Sequence, residues 1–119
     1  MPIQCTDSEW KILEVLWDSS PRTMSEITKE LEPATGWTRH TVIALLKRME
    51  EKGTVRVDNS GPQKTYTPAV EKEQASTEQT RKFLSHIFKG SASLLVNHLV
   101  SSGELTKEEI QEILDAIKQ

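Results

Sequence analysis

The sequence is poor in the features that mark secreted and membrane proteins. It has one cysteine, Cys5, among 119 residues, which excludes an internal disulfide and a thiolate metal cluster. It has no run of about 18 apolar residues, so no transmembrane span is predicted. The N-terminal segment lacks a basic region followed by an apolar one, and we expect no signal peptide and no membrane insertion. A cytoplasmic protein is the expectation.

The patterns of catalytic and metal sites are also missing. There is no glycine-rich phosphate loop, no Ser-His-Asp arrangement and no pair of inward-facing carboxylates. The histidines His40, His86 and His98 are scattered, and no cysteine or acidic spacing accompanies them as in a metal site. We therefore expect no enzyme activity, no metal and no cofactor. His86 and His98 lie among apolar helical positions, which favours packing or an interface.

Charge is unevenly distributed along the chain. The net charge of −3 argues mildly against a nucleic-acid partner. Between Trp37 and Thr67, however, cations outnumber acids. The cations there are Arg39, Lys47, Arg48, Lys52, Arg56 and Lys64, and the acids are Glu50, Glu51 and Asp58. A local basic segment is therefore present in an acidic protein.

Capping boxes mark the starts of three predicted helices. Thr and Glu stand three residues apart at Thr6–Glu9, Thr23–Glu26 and Thr106–Glu109, each before an apolar periodic run. We predict helices over about residues 7–17 and 24–31 and after residue 106, and we expect Pro33 and Gly36 to end the second. A further helix starts at Trp37 or Thr38, with Gly53 as its C-cap.

A β-hairpin is predicted directly after that helix. Val55 and Val57 alternate with polar residues, residues 58–62 form a turn cluster, and residues 65–67 suit a return strand. Helices followed by a hairpin are the order of a winged helix-turn-helix. The predicted fold is thus mostly α with a small β-hairpin, with a winged-helix DNA-binding domain over residues 1–70 and a helical dimerisation region over residues 71–119.

The third helix, "GWTRHTVIALLKRMEEKG", has two distinct faces. At 100° per residue, Val42, Leu45, Leu46 and Met49 share the apolar face, and His40, Ala44, Lys47 and Glu51 lie opposite. Cations on an outer face usually mark a solvated surface helix. The basic hairpin shifts the balance towards DNA, because the second helix of a helix-turn-helix enters the major groove. The predicted DNA-binding residues are Thr38, Arg39, His40, Thr41, Ala44, Lys47, Arg48, Arg56 and Lys64.

The three tryptophans and Cys5 are expected to have structural rather than functional roles. Trp10 and Trp17 fall on the apolar stripe of the first helix, and we expect core packing. Trp37 is expected to pack rather than to contact bases. Cys5 is expected in a frayed terminus without a basic neighbour that would lower its pKa.

The tail carries more apolar side chains than a short monomeric segment can bury. A twofold interface would cover them, because the same patch buries itself on a second copy. The predicted homodimer interface comprises Phe83, Ile87, Leu94, Leu95, Leu99, Ile110, Ile113, Leu114 and Ile117.

The chain resembles the penicillinase-repressor family (BlaI/MecI-type, with the related copper repressors) over nearly its whole length. The motifs are "SEWKILEVLW", "GWTRHTVIALLKRMEEKG", "TYTP", "FLSHIFKGSASLLVNHLV" and "LTKEEIQEI". The resemblance implies a winged helix, a dimerisation tail and repression from an inverted-repeat operator on double-stranded DNA. The chain lacks the paired Cys-x-Cys thiolates of the copper branch.

The resemblance also implies how repression ends. In the β-lactam branch a membrane sensor with a zinc protease domain responds to antibiotic, and the repressor is cut after an asparagine. The corresponding bond here is Asn97–His98. The alternative is that Asn97 is an ordinary polar helix residue and that the inducer acts otherwise. A second functional hypothesis is a winged-helix protein-interaction module without sequence-specific DNA binding, which the acidic net charge slightly favours.

Overall fold

The computed structural model describes residues 4–118, which form two compact units with the boundary between Ser76 and Thr77. The helices and strands follow the predicted order, with one additional short strand. They are α1 (Asp7–Asp18), β1 (Arg22–Thr23), α2 (Met24–Thr35), α3 (Arg39–Lys52), β2 (Val55–Asp58), β3 (Thr65–Pro68), α4 (Lys72–Ile87), α5 (Ala92–Ser101) and α6 (Lys107–Ile117).

Side-chain caps define the helix starts. The three predicted capping boxes are present, with Thr6, Thr23 and Thr106 each accepting a hydrogen bond from the backbone of a glutamate three residues later. Each box satisfies two backbone donors that a helix start otherwise leaves free. Thr38 caps α3, and Gly53 ends it with φ 82, in the left-handed region that glycine adopts without steric cost.

The prediction that Pro33 ends α2 is wrong. The helix continues to Thr35 with Pro33 inside its last turn. A proline this close to the C-terminal end removes one intrahelical hydrogen bond but has little helix left to distort. The other predicted end, Gly36, is confirmed: at φ 68 it closes the helix, and its N–H donates to the carbonyl of Glu32 at 2.8 Å.

The wing is a three-stranded antiparallel sheet in the order β1-β3-β2. The predicted hairpin is present, with Val57 opposite Tyr66, and Asp58 Oδ1 accepts the Ser60 N–H at 2.8 Å inside the turn. β1, whose Thr23 lies opposite Thr65, was not predicted from the sequence. The strand β3 is therefore paired with Thr23, the residue that caps α2.

One apolar core holds the first unit together. It consists of the inner faces of α1, α2 and α3 with the first residue of β2. The fully buried large side chains include Ile12, Leu13, Leu16, Ile27 and Leu46, each 0–1% exposed. Burying a side chain of this size stabilises the fold by about 1.5–3 kcal/mol.

A partly buried ion pair joins the start of α1 to the end of α3. Lys52 Nζ lies 2.7 Å from Glu9 Oε1, and the same oxygen accepts the Thr6 N–H at 2.9 Å. The Glu9 side chain is 1% exposed. Burial opposes the Glu9 charge, but the hydrogen bonds from Lys52 and Thr6 outweigh it and hold the pKa of this carboxyl below its usual 4.5.

The second unit has a different character. α5 and α6 contain no buried residue. Large apolar side chains remain about half exposed there, including Phe83 at 50% and Ile113 at 49%. Phe88 contacts the rings of Phe83 and His98, at centroid distances of 5.8 and 5.7 Å, whereas His86 is exposed. Along residues 4–118, none of the helices combines the length and apolarity that crossing a membrane requires.

We predict that Lys52→Met destabilises the first unit by about 3 kcal/mol at pH 7, because it leaves the Glu9 carboxylate buried without its cation. Urea unfolding followed by tryptophan fluorescence measures this, since the three tryptophans, Trp10, Trp17 and Trp37, lie in the first unit.

The control for this experiment is the double variant Glu9→Gln/Lys52→Met, which should recover most of the loss because no unpaired charge remains. The folded pKa of Glu9 lies below the unfolded one. The wild type should therefore hold the pair's contribution above pH 4.5 and lose it as the pH falls further, and the double variant should not. A single variant as stable as the wild type at pH 7 would contradict the prediction.

Candidate nucleic-acid interface

The core fixes which side of α3 meets solvent. Val42, Leu45, Leu46 and Met49 are buried at 0–5% exposure, as predicted from the helical period. The opposite side carries His40, Ala44, Lys47 and Glu51, all exposed. Each of the nine residues predicted to bind DNA is exposed, from Thr38 to Lys64.

The N-terminal turn of α3 is built around two threonines. Thr38 Oγ1 accepts the Thr41 N–H at 3.4 Å, and the two hydroxyl oxygens lie 3.4 Å apart. Thr38 therefore caps α3, in agreement with its predicted place at the helix start, and it is also one of the exposed residues predicted to bind DNA. No acidic residue occupies this turn. A helix N-terminus without acidic side chains keeps its positive end open to an anion.

Five of the predicted residues are cations for which the described residues show no ion pair. Among residues 4–118, Arg22 pairs with Asp18 and Glu30, and Lys52 pairs with Glu9. The unpaired cations are Arg39, Lys47, Arg48, Arg56 and Lys64. Their charge is therefore available to an external anion. Glu50 and Glu51, near the end of α3, are exposed as well and restrict a polyanion to the first half of the helix.

A cavity of about 250 Å³ lies where α2, α3 and the wing meet. It brings together Arg39 from the start of α3 and Lys64 from the wing, which are far apart in sequence. Its lining is Thr23, Met24, Ser25, Arg39, Gln63, Lys64 and Tyr66. The sequence analysis did not single out Ser25, Gln63 or Tyr66. These residues could have been found only from the pairing of β1 with β3. A strand of two residues is too short to leave a pattern in the sequence.

Arg56 belongs to a different part of the first unit. It lines a separate cleft with Trp17 and the residues that lead into α4, and Lys64 is not among them. The structure thus groups Arg39 with Lys64 and does not bring Arg56 into that cavity. In the first cavity, burial and the charge of Glu50 raise the pKa of the Tyr66 phenol, which stays a neutral hydrogen-bond donor.

Trp17 and Trp37 pack against the core as expected, whereas Trp10 contacts the Trp17 ring and is not among the residues packed on the core. Trp10 and Trp17 meet edge to face at 5.2 Å, and Trp17 Nε1 donates to the carbonyl of Val70 at 3.0 Å. Trp37 packs partly buried against the core. None of the three is directed into the cavity of Arg39 and Lys64.

Cys5 differs from its prediction. It is not frayed but partly buried against the core, and it does have a basic neighbour in Lys52. Burial, together with the charge of Glu9, outweighs that cation and raises the pKa of the Cys5 thiol to about 11. The thiol is therefore protonated and a poor nucleophile at neutral pH.

Three helices, a three-stranded wing and an exposed helix carrying small polar and cationic groups define a winged helix-turn-helix protein. The chain belongs to the penicillinase repressor family, whose model matches residues 5–119. It is 25% identical to the penicillinase repressor of Bacillus licheniformis over 116 residues, covering 98% of this chain and 91% of that protein. It is 21% identical to the methicillin resistance regulatory protein MecI of Staphylococcus aureus, covering 98% and 94%.

The first unit's fold is similar to that of a solved structure. The solution structure of Bacillus licheniformis BlaI, a monomeric form in complex with the blaP half-operator, superposes with a TM-score of 0.55 at 27% identity. The match covers 62% of this chain and 90% of that one.

Proposed function

We propose that this protein is a dimeric transcriptional repressor that binds an inverted-repeat DNA operator by inserting the first half of α3 into the major groove. The observation that carries this proposal is the outer surface of α3. It is exposed, it bears small polar and cationic groups, and its cations Arg39, Lys47 and Arg48 form no ion pair with the residues that the structure describes. Family membership and the half-operator complex of a relative support the same function.

The side chains of α3 divide into two roles. His40 and Thr41 are exposed near the helix start, where they can exchange hydrogen bonds with base edges. Ala44 follows one turn later and leaves room for close approach. Lys47 and Arg48 can neutralise phosphates on either side of the groove, which adds affinity without sequence preference.

The cavity between α2, α3 and the wing suits a backbone phosphate. Arg39 and Lys64 supply positive charge from two sides, and the Ser25 hydroxyl and the Gln63 amide are donors in the same lining. A phosphate held there would fix the position of α3 in the groove. Arg56, on the wing, would contact the backbone separately.

A second copy of the chain is the proposed cover for residues 71–119. α5 and α6 contain no fully buried residue, although they carry most of the apolar positions of the predicted interface. A twofold axis would bury these residues and place two copies of α3 on the two half-sites of a palindrome. Two linked contacts would also compensate for the few cations in each copy.

Release of repression by proteolysis is the finer part of the proposal. Asn97 and His98 are exposed, and they lie in the middle of α5. Cutting there would divide the tail and separate the two copies of α3. By family resemblance, the trigger is a membrane sensor protease and the regulated gene serves β-lactam resistance or a similar stress response. A helical bond needs local opening before a protease can act on it.

We predict that Lys47→Ala weakens binding to every duplex alike and lowers the slope of log affinity against log salt by about 1. His40→Ala or Thr41→Ala should instead relax base preference, by about 1–3 kcal/mol for each lost contact. Fluorescence anisotropy on duplexes selected from a random library measures both effects.

Lys11→Ala is the control for these variants, because it removes the same charge from an exposed position on α1. Unchanged binding in all three α3 variants would refute the docking geometry. If the wild type retains no duplex at any salt concentration, the protein is instead a protein-interaction module, which the net charge of −3 would fit.

For the dimer, we expect Ile113→Asp to produce a monomer. The side chain is 49% exposed in the single chain, so the change leaves internal packing intact but puts a carboxylate into the proposed interface. Such burial costs several kcal/mol without a partner, or at least about a hundredfold in dissociation constant. Sedimentation velocity should detect monomer with weakened operator binding, whereas Glu112→Lys, an exposed position on the opposite face of α6, should stay dimeric. Dimeric Ile113→Asp would argue against this interface.

For induction, we predict a repressor fragment ending at Asn97 after β-lactam is added to the native host. Mass spectrometry of the full repressor pool over time gives the measurement. Derepression with an intact chain would exclude cleavage at this bond and favour the interpretation of Asn97 as an ordinary helix residue.

A further inference from the structure

Ile43 is an exposed apolar residue on a surface of α3 that is mostly polar and cationic. It is 44% exposed, whereas its neighbours Val42 and Leu46 on α3 are fully buried. Among the described residues of the first unit, it is the one large aliphatic or aromatic side chain in the exposed class. A single exposed apolar residue is ordinary on a protein surface, so its position on α3 must carry the argument.

That position is inside the proposed DNA-binding surface. Residues three and four apart are neighbours on a helix, which places Ile43 beside Arg39, His40 and Lys47. All three are exposed, and the two permanent cations are unpaired. The isoleucine is therefore an apolar group set among cations, one turn from the start of the helix.

From this setting, we infer that Ile43 reads the C5-methyl group of a thymine in each half-site. The thymine methyl is the apolar group that base edges present in the major groove. Isoleucine suits this contact because its β-branch restricts the side chain before binding. This inference rests on the proposed function and adds one base to it, a thymine at a fixed place in the operator.

A protein partner fits the same surface less well. A docking patch for protein needs contiguous apolar area of a few hundred Å². Here the apolar area is a single side chain, and covering it would also desolvate Arg39, His40 and Lys47. Phosphates, by contrast, pair with such cations while the base edges meet the isoleucine.

The test deletes the methyl group and nothing else. From a duplex selected with the full-length protein, each thymine is replaced in turn by deoxyuridine, symmetrically in both half-sites, and affinity is measured by anisotropy. One replacement should weaken wild-type binding about fourfold per methyl, or about sixteenfold for the pair. Ile43→Ala should bind the thymine and uracil forms of that duplex equally, and Ile43→Val should keep most of the discrimination.

Two controls separate reading from general weakening. Lys47→Ala should lose affinity for both duplex forms by the same factor and leave their ratio unchanged. Ile43→Ala should unfold in urea at or above the wild-type midpoint, because the site is exposed and alanine is the better helix former.

Results that contradict the role of Ile43 can be distinguished from results that contradict the repressor function. Equal wild-type binding to all uracil forms, or an undiminished ratio in Ile43→Ala, would overturn the role of Ile43 and leave the repressor function standing. Failure to retain any duplex would remove the proposed function, and the inference would fall with it.

Discussion

The burial of the inner face of α3 is the constraint on which the rest of the first unit depends. Val42, Leu45, Leu46 and Met49 are held by α1, α2 and β2, so the helix cannot rotate without exposing core side chains. The direction of the exposed outer face is thereby fixed by the buried inner face. At the far end, Lys52 anchors the same helix to Glu9 of α1. The packing of the buried side of α3 thus determines the direction in which the candidate site faces.

Local signals explain how much of this fold the sequence could reveal. The capping boxes at Thr6, Thr23 and Thr106 and the glycine at Gly53 gave helix ends close to those observed, because caps act within four residues. The two faces of α3 followed from the helical period alone. Pro33 was misjudged because its cost depends on how many turns follow it, which the sequence pattern did not specify.

The features that were missed depend on contacts between distant residues. β1 has two residues and no pattern of its own, and it exists because Thr23 meets Thr65 across the sheet. The Glu9–Lys52 pair spans 43 positions. The cavity that joins Arg39 to Lys64 requires both the wing and the turn before α3 to be in place. Helical periodicity assigns a side chain to a face, but only the assembled fold assigns it to neighbours.

Thr23 belongs both to the wing, as the last residue of β1, and to the start of α2, as its N-cap. Its backbone pairs with β3, its hydroxyl accepts the Glu26 N–H, and its own N–H donates to the Glu26 side chain. The wing and the first turn of α2 therefore share one residue. A displacement of β3 could not leave the start of α2 in place without breaking either the strand pairing or the cap at Thr23.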